Sequence, residues 1–163
     1  MTTDPADIQF RAAEISDVQP IAEMLQPYVL QRKLLRRTHA ELAELVRHAF
    51  VAIQAETGTN TADTNSLSTT DQYIRIVGFC AVEVYSSKLA EIQSLAVANG
   101  YQGTGIGKQL VQLCVERARS LGVMEVMAIS ANDTFLQSCG FDYSLPDQKR
   151  ALFFPLRPRP TGE

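Results

Sequence analysis

Glu91-Ile-Gln-Ser-Leu-Ala-Val97 and, four residues on, Gln102-Gly-Thr-Gly-Ile-Gly107-Lys108 form the stretch on which the fold turns. The first run is β-rich and the second is a glycine loop. Beyond it Ile106, Leu110, Cys114, Ala118 and Leu121 recur at helical spacing up to Gly122, which closes a helix. A strand, a glycine loop and a helix therefore follow one another. The first N–H groups of such a helix are unpaired, and its dipole places partial positive charge there. Glycines let the backbone approach an anion closely, so the loop suits a phosphate. Lys108 in the first turn opposes the dipole, which makes sense if an anion lies between them. Two nucleotide motifs fail. A P-loop would need glycine at Gln102 and Ser or Thr at Gln109. A dinucleotide fingerprint started at Gly103 ends on Lys108, and started at Gly105 it ends on Leu110. The pattern that fits is Gln-x-x-Gly-x-Gly.

Working outward, Ile8–Arg11 reads as a first strand. Ser16-Asp-Val-Gln19 and Thr38-His-Ala-Glu41 read as capping boxes. Ile21, Met24, Leu25 and Tyr28 form the stripe of the first helix, and Leu42, Leu45, Val46 and Ala49 that of the second. Arg32, Lys33, Arg36 and Arg37 make a basic patch between them. Phe50–Ile53, Ile74–Tyr85, Ala90–Val97, Val126–Ser130 and Ala151–Leu156 are predicted strands, and Asp133–Cys139 a short helix. Ala55–Gln72 is polar and predicts a flexible hairpin loop within a single domain spanning residues 1–163. The order β-α-α-β-β-β-α-β-α-β predicts an α/β (α+β) protein: a mixed, mostly antiparallel sheet with helices on both faces.

Composition narrows the function. A net charge of -3 and no basic stripe argue against nucleic acid. Apolar runs are too short for a membrane span, and the polar start does not read as a secretory signal. Cys80, Cys114 and Cys139 form no C-x-x-C pair, so no metal site is expected. Their odd number fits a reducing, cytoplasmic setting, and they read as buried small hydrophobes.

Gln102 to Gly107 resembles the acetyl-CoA signature of the GCN5-related N-acetyltransferases. Glu91–Val97 looks like that family's fourth strand, and Phe135-Leu-Gln-Ser-Cys-Gly-Phe141 is similar to its short helix before the last hairpin. The resemblance covers nearly the whole chain and implies the acyl-CoA N-acyltransferase fold, with acetyl-CoA as co-substrate and no metal. It implies that Gln102, Gly103, Thr104, Gly105, Ile106, Gly107 and Lys108 receive the pyrophosphate. Leu95, Ala96 and Val97 would line the pantetheine arm, an N–H near Leu95 would hold the thioester carbonyl, and Asn132 and Phe135 would line the groove. Simple alternation puts Glu91, Gln93, Leu95 and Val97 on one strand face and Ile92, Ser94 and Ala96 on the other. Glu91 matches the family's catalytic carboxylate, as base directly or through water, or as a group that only orients the amine. Many members carry a tyrosine acid where Leu136 stands here. Tyr101 and Tyr143 do not match that position, and the thiolate would then take its proton from water or from the amine.

Leu34-Leu-Arg-Arg-Thr38, Ala40-Glu-Leu42 and Ala90–Val97 resemble the acetyltransferase domain of N-acetylglutamate synthases. That implies a small carboxylate-bearing amine such as glutamate or another amino acid, bound by Arg36, Arg37 and Gln93. Two features depart from that pattern. The amino-acid kinase domain that often precedes such domains has no counterpart, and Ile129–Thr134 has no Arg or Lys. The alternatives are a protein lysine or N-terminal acetyltransferase, which the basic patch disfavours for histone-like tails, and a non-catalytic acyl-CoA-binding module. The chain is expected to be a monomer or homodimer.

Overall fold

The computed structural model describes residues 8–57, 72–130 and 133–143. Among these residues nine α-helices and β-strands follow in order: β1 Ile8–Ala12, α1 Val18–Leu30, α2 His39–Leu45, β2 Ala49–Thr57, β3 Gln72–Val84, β4 Leu89–Val97, α3 Ile106–Ser120, β5 Glu125–Ala128 and α4 Asp133–Ser138. The strands make one sheet in the order β1-β2-β3-β4-β5. The first three pairings are antiparallel and β4–β5 is parallel, as the expected mixed sheet requires. The predicted strand Ala151–Leu156 lies outside the described residues.

Helices cover both faces. On one, Ile21, Leu25, Leu42, Leu45 and Val46 from α1 and α2 pack on Val51, Ile53, Phe79, Ala81 and Ala96. On the other, Ile106, Leu110, Val111, Cys114 and Ala118 of α3 pack on Ala52, Val77, Cys80, Val82, Ala90 and Ile92. Each fully buried aliphatic side chain contributes roughly 1.5–3 kcal/mol. Gly78 sets how closely α3 approaches β3: a Cβ there would come within 2.9 Å of Leu110 and 3.0 Å of Ile106. The cysteines are free thiols, with Cys80 and Cys114 buried. A hydrogen bond with Cys114, together with burial, pushes the Cys80 thiol well up, so it behaves as a small hydrophobe.

Three local expectations change. Ser16 and Gln19 do not cap α1. A short 3-10 turn at Ile15–Asp17 leads into the helix, Asp17 Oδ2 accepts the Glu14 N–H at 2.8 Å, and Gln19 donates to Glu23 instead. The buried Asp17 carboxylate outcompetes a hydroxyl because Arg11 grips both its oxygens, at 2.6 and 2.8 Å. Ala55–Thr57 and Gln72 are strand, not loop, since the ladder Ala55↔Ile74, Glu56↔Tyr73, Thr57↔Gln72 continues the hairpin. Backbone pairing overrides polar composition there. The rest of the predicted loop, residues 58–71, lies outside the described residues.

The third change is in β4. Phe79 faces Ala96 and Ala81 faces Gln93, so two residues of β3 span three of β4. The extra residue is Ser94, at φ +54, and the strand carries a β-bulge. One added residue reverses the parity of all that follow. Glu91 and Gln93 therefore share the α1/α2 face with Ala96. Leu95 and Val97 lie against the α3 core together with Ile92, contrary to simple alternation. Thr38–Glu41 is a capping box as expected, with Glu41 N–H donating to Thr38 Oγ1 at 3.2 Å and Thr38 N–H to Glu41 Oε2 at 2.6 Å.

Candidate active site

β4 pairs with β5 only from Leu89↔Glu125 to Ile92↔Ala128. Among the described residues its far half, Gln93–Val97, has no ladder partner on that side. A β-edge of this kind can accept an extended ligand carrying amide groups. The edge runs directly into the loop at Gln102–Gly105.

In that loop Gly103 and Gly105 have φ of +76 and +89, a region that glycine enters without a Cβ penalty. Gly105 is the N-cap of α3 and its C=O accepts the first helical bond, from Gln109 at 3.0 Å. The amides of residues 103–108 have no acceptor among the described residues. A Cβ on Gly103 or Gly105 would meet nothing within 4 Å, so the concave side is open. Unpaired donors at a fifteen-residue helix, with Lys108 exposed beside them, suit an anion. At Gly107 a Cβ would sit 3.3 Å from Phe135 and 3.5 Å from Val97, so Phe135 closes one wall.

The side chains of the motif have other work. Gln102 Nε2 donates to Val97 O at 3.0 Å and to Tyr28 Oη at 3.2 Å, and Tyr28 itself donates to Val97 O at 2.5 Å. Together they tie loop, β4 and α1. Thr104 Oγ1 donates to Tyr101 O at 2.5 Å. Ile106 and Ala96 are buried in the two cores, so only their backbones can face a ligand. Asn132 lies outside the described residues.

On the α1/α2 face of β4 a row of hydrogen bonds joins four side chains. Arg37 Nη2 donates to Gln93 Oε1 at 2.7 Å. Gln93 Nε2 donates to Tyr85 Oη at 3.3 Å, and Tyr85 Oη donates to Glu91 Oε2. Glu91 is 8% exposed. Partial burial and the bond to Glu91 raise the Tyr85 phenol to about 12, so it keeps its proton. Arg37 Nε is buried without an acceptor. Arg36 is exposed at the rim, apart from the row that Arg37 joins. Sequence pattern alone does not mark Tyr28 and Tyr85 as site residues. A hairpin register would have found Tyr85, because the Ser86–Lys88 turn returns the chain with Tyr85 N–H on Leu89 O at 3.0 Å.

Leu136 is buried, Tyr101 donates to Gln54 and Tyr143 to Asp133. None of the three presents a free hydroxyl. Among the described residues no group of three His, Cys, Asp or Glu side chains is placed to hold a metal, and no helix is long and apolar enough to cross a membrane.

The sequence profile of the Acetyltransferase (GNAT) family matches residues 32–141, spanning α2, the sheet from β2 to β5, the loop and α4. The chain belongs to this family. It is a GNAT N-acetyltransferase. It is 29% identical to an uncharacterised N-acetyltransferase of Chlorobaculum tepidum over 83% of this chain and 76% of that one. It is also 29% identical to an amino-acid acetyltransferase of Mycobacterium tuberculosis over 86% of this chain and 73% of that one. A Mycobacterium tuberculosis protein solved in complex with CoA superposes with a TM-score of 0.64 at 27% identity, over 86% of this chain and 76% of that one. The N-acetylglutamate synthase of Neisseria gonorrhoeae, solved with coenzyme A and N-acetyl-glutamate, superposes at 0.62 and 21% identity, over 83% of this chain and 28% of the synthase. This chain therefore spans under a third of that enzyme's length.

Proposed function

We propose that this GNAT enzyme transfers acetyl from acetyl-CoA to the amine of a small carboxylate-bearing metabolite, with glutamate or another amino acid as the acceptor. A single domain over residues 1–163 would carry the whole reaction. Acetyl-CoA supplies the activated thioester. The amides of Gly103 to Lys108 would hold its pyrophosphate, and the unpaired edge at Leu95–Val97 would hold the pantetheine amides. An N–H near Leu95 would face the thioester oxygen and stabilise its developing charge. Glu91 would take a proton from the acceptor ammonium, leaving the neutral amine to attack the carbonyl. The C–N bond forms, the C–S bond breaks, and the thiolate takes the proton that the newly acylated nitrogen gives up, directly or through water.

The observation that carries the acceptor class is the row from Arg37 to Glu91. A cation stands at one end and a buried carboxylate at the other, on one face of one strand. That polarity matches an amino acid, whose carboxylate would meet Arg37 and the nearby Arg36 while its amine meets Glu91. The amino-acid acetyltransferase among the relatives supports the same reading. The test is CoA release on a panel of free amino acids, glutamate first. On the active acceptor, Arg37→Ala should raise the acceptor KM at least about tenfold and leave the acetyl-CoA KM alone, because binding of one substrate is lost. Wild-type acceptor kinetics in an Arg36/Arg37 double alanine variant would remove the carboxylate clamp.

A further inference from the structure

We infer that Tyr85 is a positioning residue for acetyl transfer, holding the Glu91 carboxylate at the angle from which it takes the acceptor's proton. The inference rests on the proposed role of Glu91 as base.

The geometry leading to it is directional. Arginine can only donate, so the Gln93 oxygen faces Arg37 and the Gln93 NH₂ is left to face Tyr85. Tyr85 Oη accepts there and its single proton goes to Glu91 Oε2. Every donor in the row thus points toward Glu91.

The row also answers a problem in the sheet. Glu83 stands directly opposite Glu91 in the β3–β4 ladder, and like charges in cross-strand pairs destabilise. Among the described residues neither carboxylate has a cationic partner. The Tyr85 oxygen lies between them, 3.5 Å from Glu83 Oε2 and bonded to Glu91. Without the phenol, repulsion from Glu83 would turn Glu91 away from its place. Tyr85 itself is half exposed at the rim of the strand pair, so its hydroxyl contributes little to the core, and phenylalanine fits the same space.

The experiment is steady-state kinetics of the whole chain with acetyl-CoA and the active amino acid, for Y85F, E91Q and the double variant, with thermal unfolding measured alongside. Y85F should lower kcat roughly tenfold or more, since small misplacements of a catalytic group cost up to about 10²-fold. Both KM values should stay within about twofold. The double variant should be no slower than E91Q, because Tyr85 acts only through Glu91. Multiplying losses in the double variant would overturn the inference, as would a Y85F effect confined to the acceptor KM. Wild-type kinetics for Y85F beside a slow E91Q would overturn the inference alone. A wild-type rate for E91Q would instead remove the base assignment on which the inference stands.

Discussion

Gly105 combines a φ of +89 with open space where a Cβ would lie. A side chain is disfavoured there by backbone conformation, not by collision. Asp is among the residues best able to adopt that conformation, so Gly105→Asp should fold while placing a carboxylate at the proposed pyrophosphate cradle. Affinity for CoA should fall tenfold or more, equivalent to ~1.4 kcal/mol per tenfold, and titration calorimetry checks it. The Arg11–Asp17 pair is a residue-scale case with a pH signature. Its Arg11 hydrogen bonds hold the Asp17 carboxyl below its usual 3.8, against the opposing effect of burial. A lowered folded pKa gives stability that is present above 3.8 and lost as pH falls through the folded value. Asp17→Asn should therefore destabilise by on the order of 1–3 kcal/mol at neutral pH. The gap from wild type should shrink in urea melts taken below about pH 4.

Two elements end or bend at non-glycine residues with positive φ. α1 closes in a Schellman motif, with Lys33 N–H on Tyr28 O at 2.9 Å and Arg32 N–H on Val29 O at 3.0 Å. The left-handed position is Arg32, at φ +57, where glycine is the usual residue. Arg32→Gly should leave stability unchanged or raise it by up to about 1 kcal/mol, because relief of the left-handed penalty exceeds the entropy of a freer unfolded chain. The urea midpoint reads this directly. β4 bends at Ser94, whose φ of +54 marks backbone strain at the proposed site. That bend separates the part of β4 still paired with β5 from the free edge leading to the glycine loop. One strand can thereby present Glu91 to α1/α2 and Leu95 to the α3 side.

Across the molecule the two cores are joined by β2 and β3, whose ladder extends out to Thr57↔Gln72. Thr57 and Gln72, which flank residues 58–71, are thus already neighbours. Replacing that segment with a short Asn-Gly-type turn should change unfolding free energy by only about 1 kcal/mol, since loop-closure cost depends weakly on length. A circular-dichroism melt gives the answer. Loss of cooperative folding would show that the segment packs into the domain.

Part of this protein was legible along the chain. The glycines of the 102–107 loop, the stripe from Ile106 to Ala118 and the Thr38–Glu41 cap all depend on neighbours within a few residues. Their chemistry names a glycine turn, a helix and a helix start without reference to anything distant. Those residues carry the resemblance to the family to which the chain belongs. Tertiary structure decided the rest. Asp17 displaced Ser16 at the start of α1 because Arg11, on a strand, reaches it. The faces of Leu95 and Val97 reversed because the β3 register leaves Ser94 unpaired, and a pattern of period two has no memory of where a residue is added. The partners of Glu91 came into view only when the hairpin closed and brought Tyr85, Gln93 and Arg37 into one row. Local chemistry is written in the order of residues, whereas strand parity and side-chain partnership are set by hydrogen bonds between segments far apart in the chain.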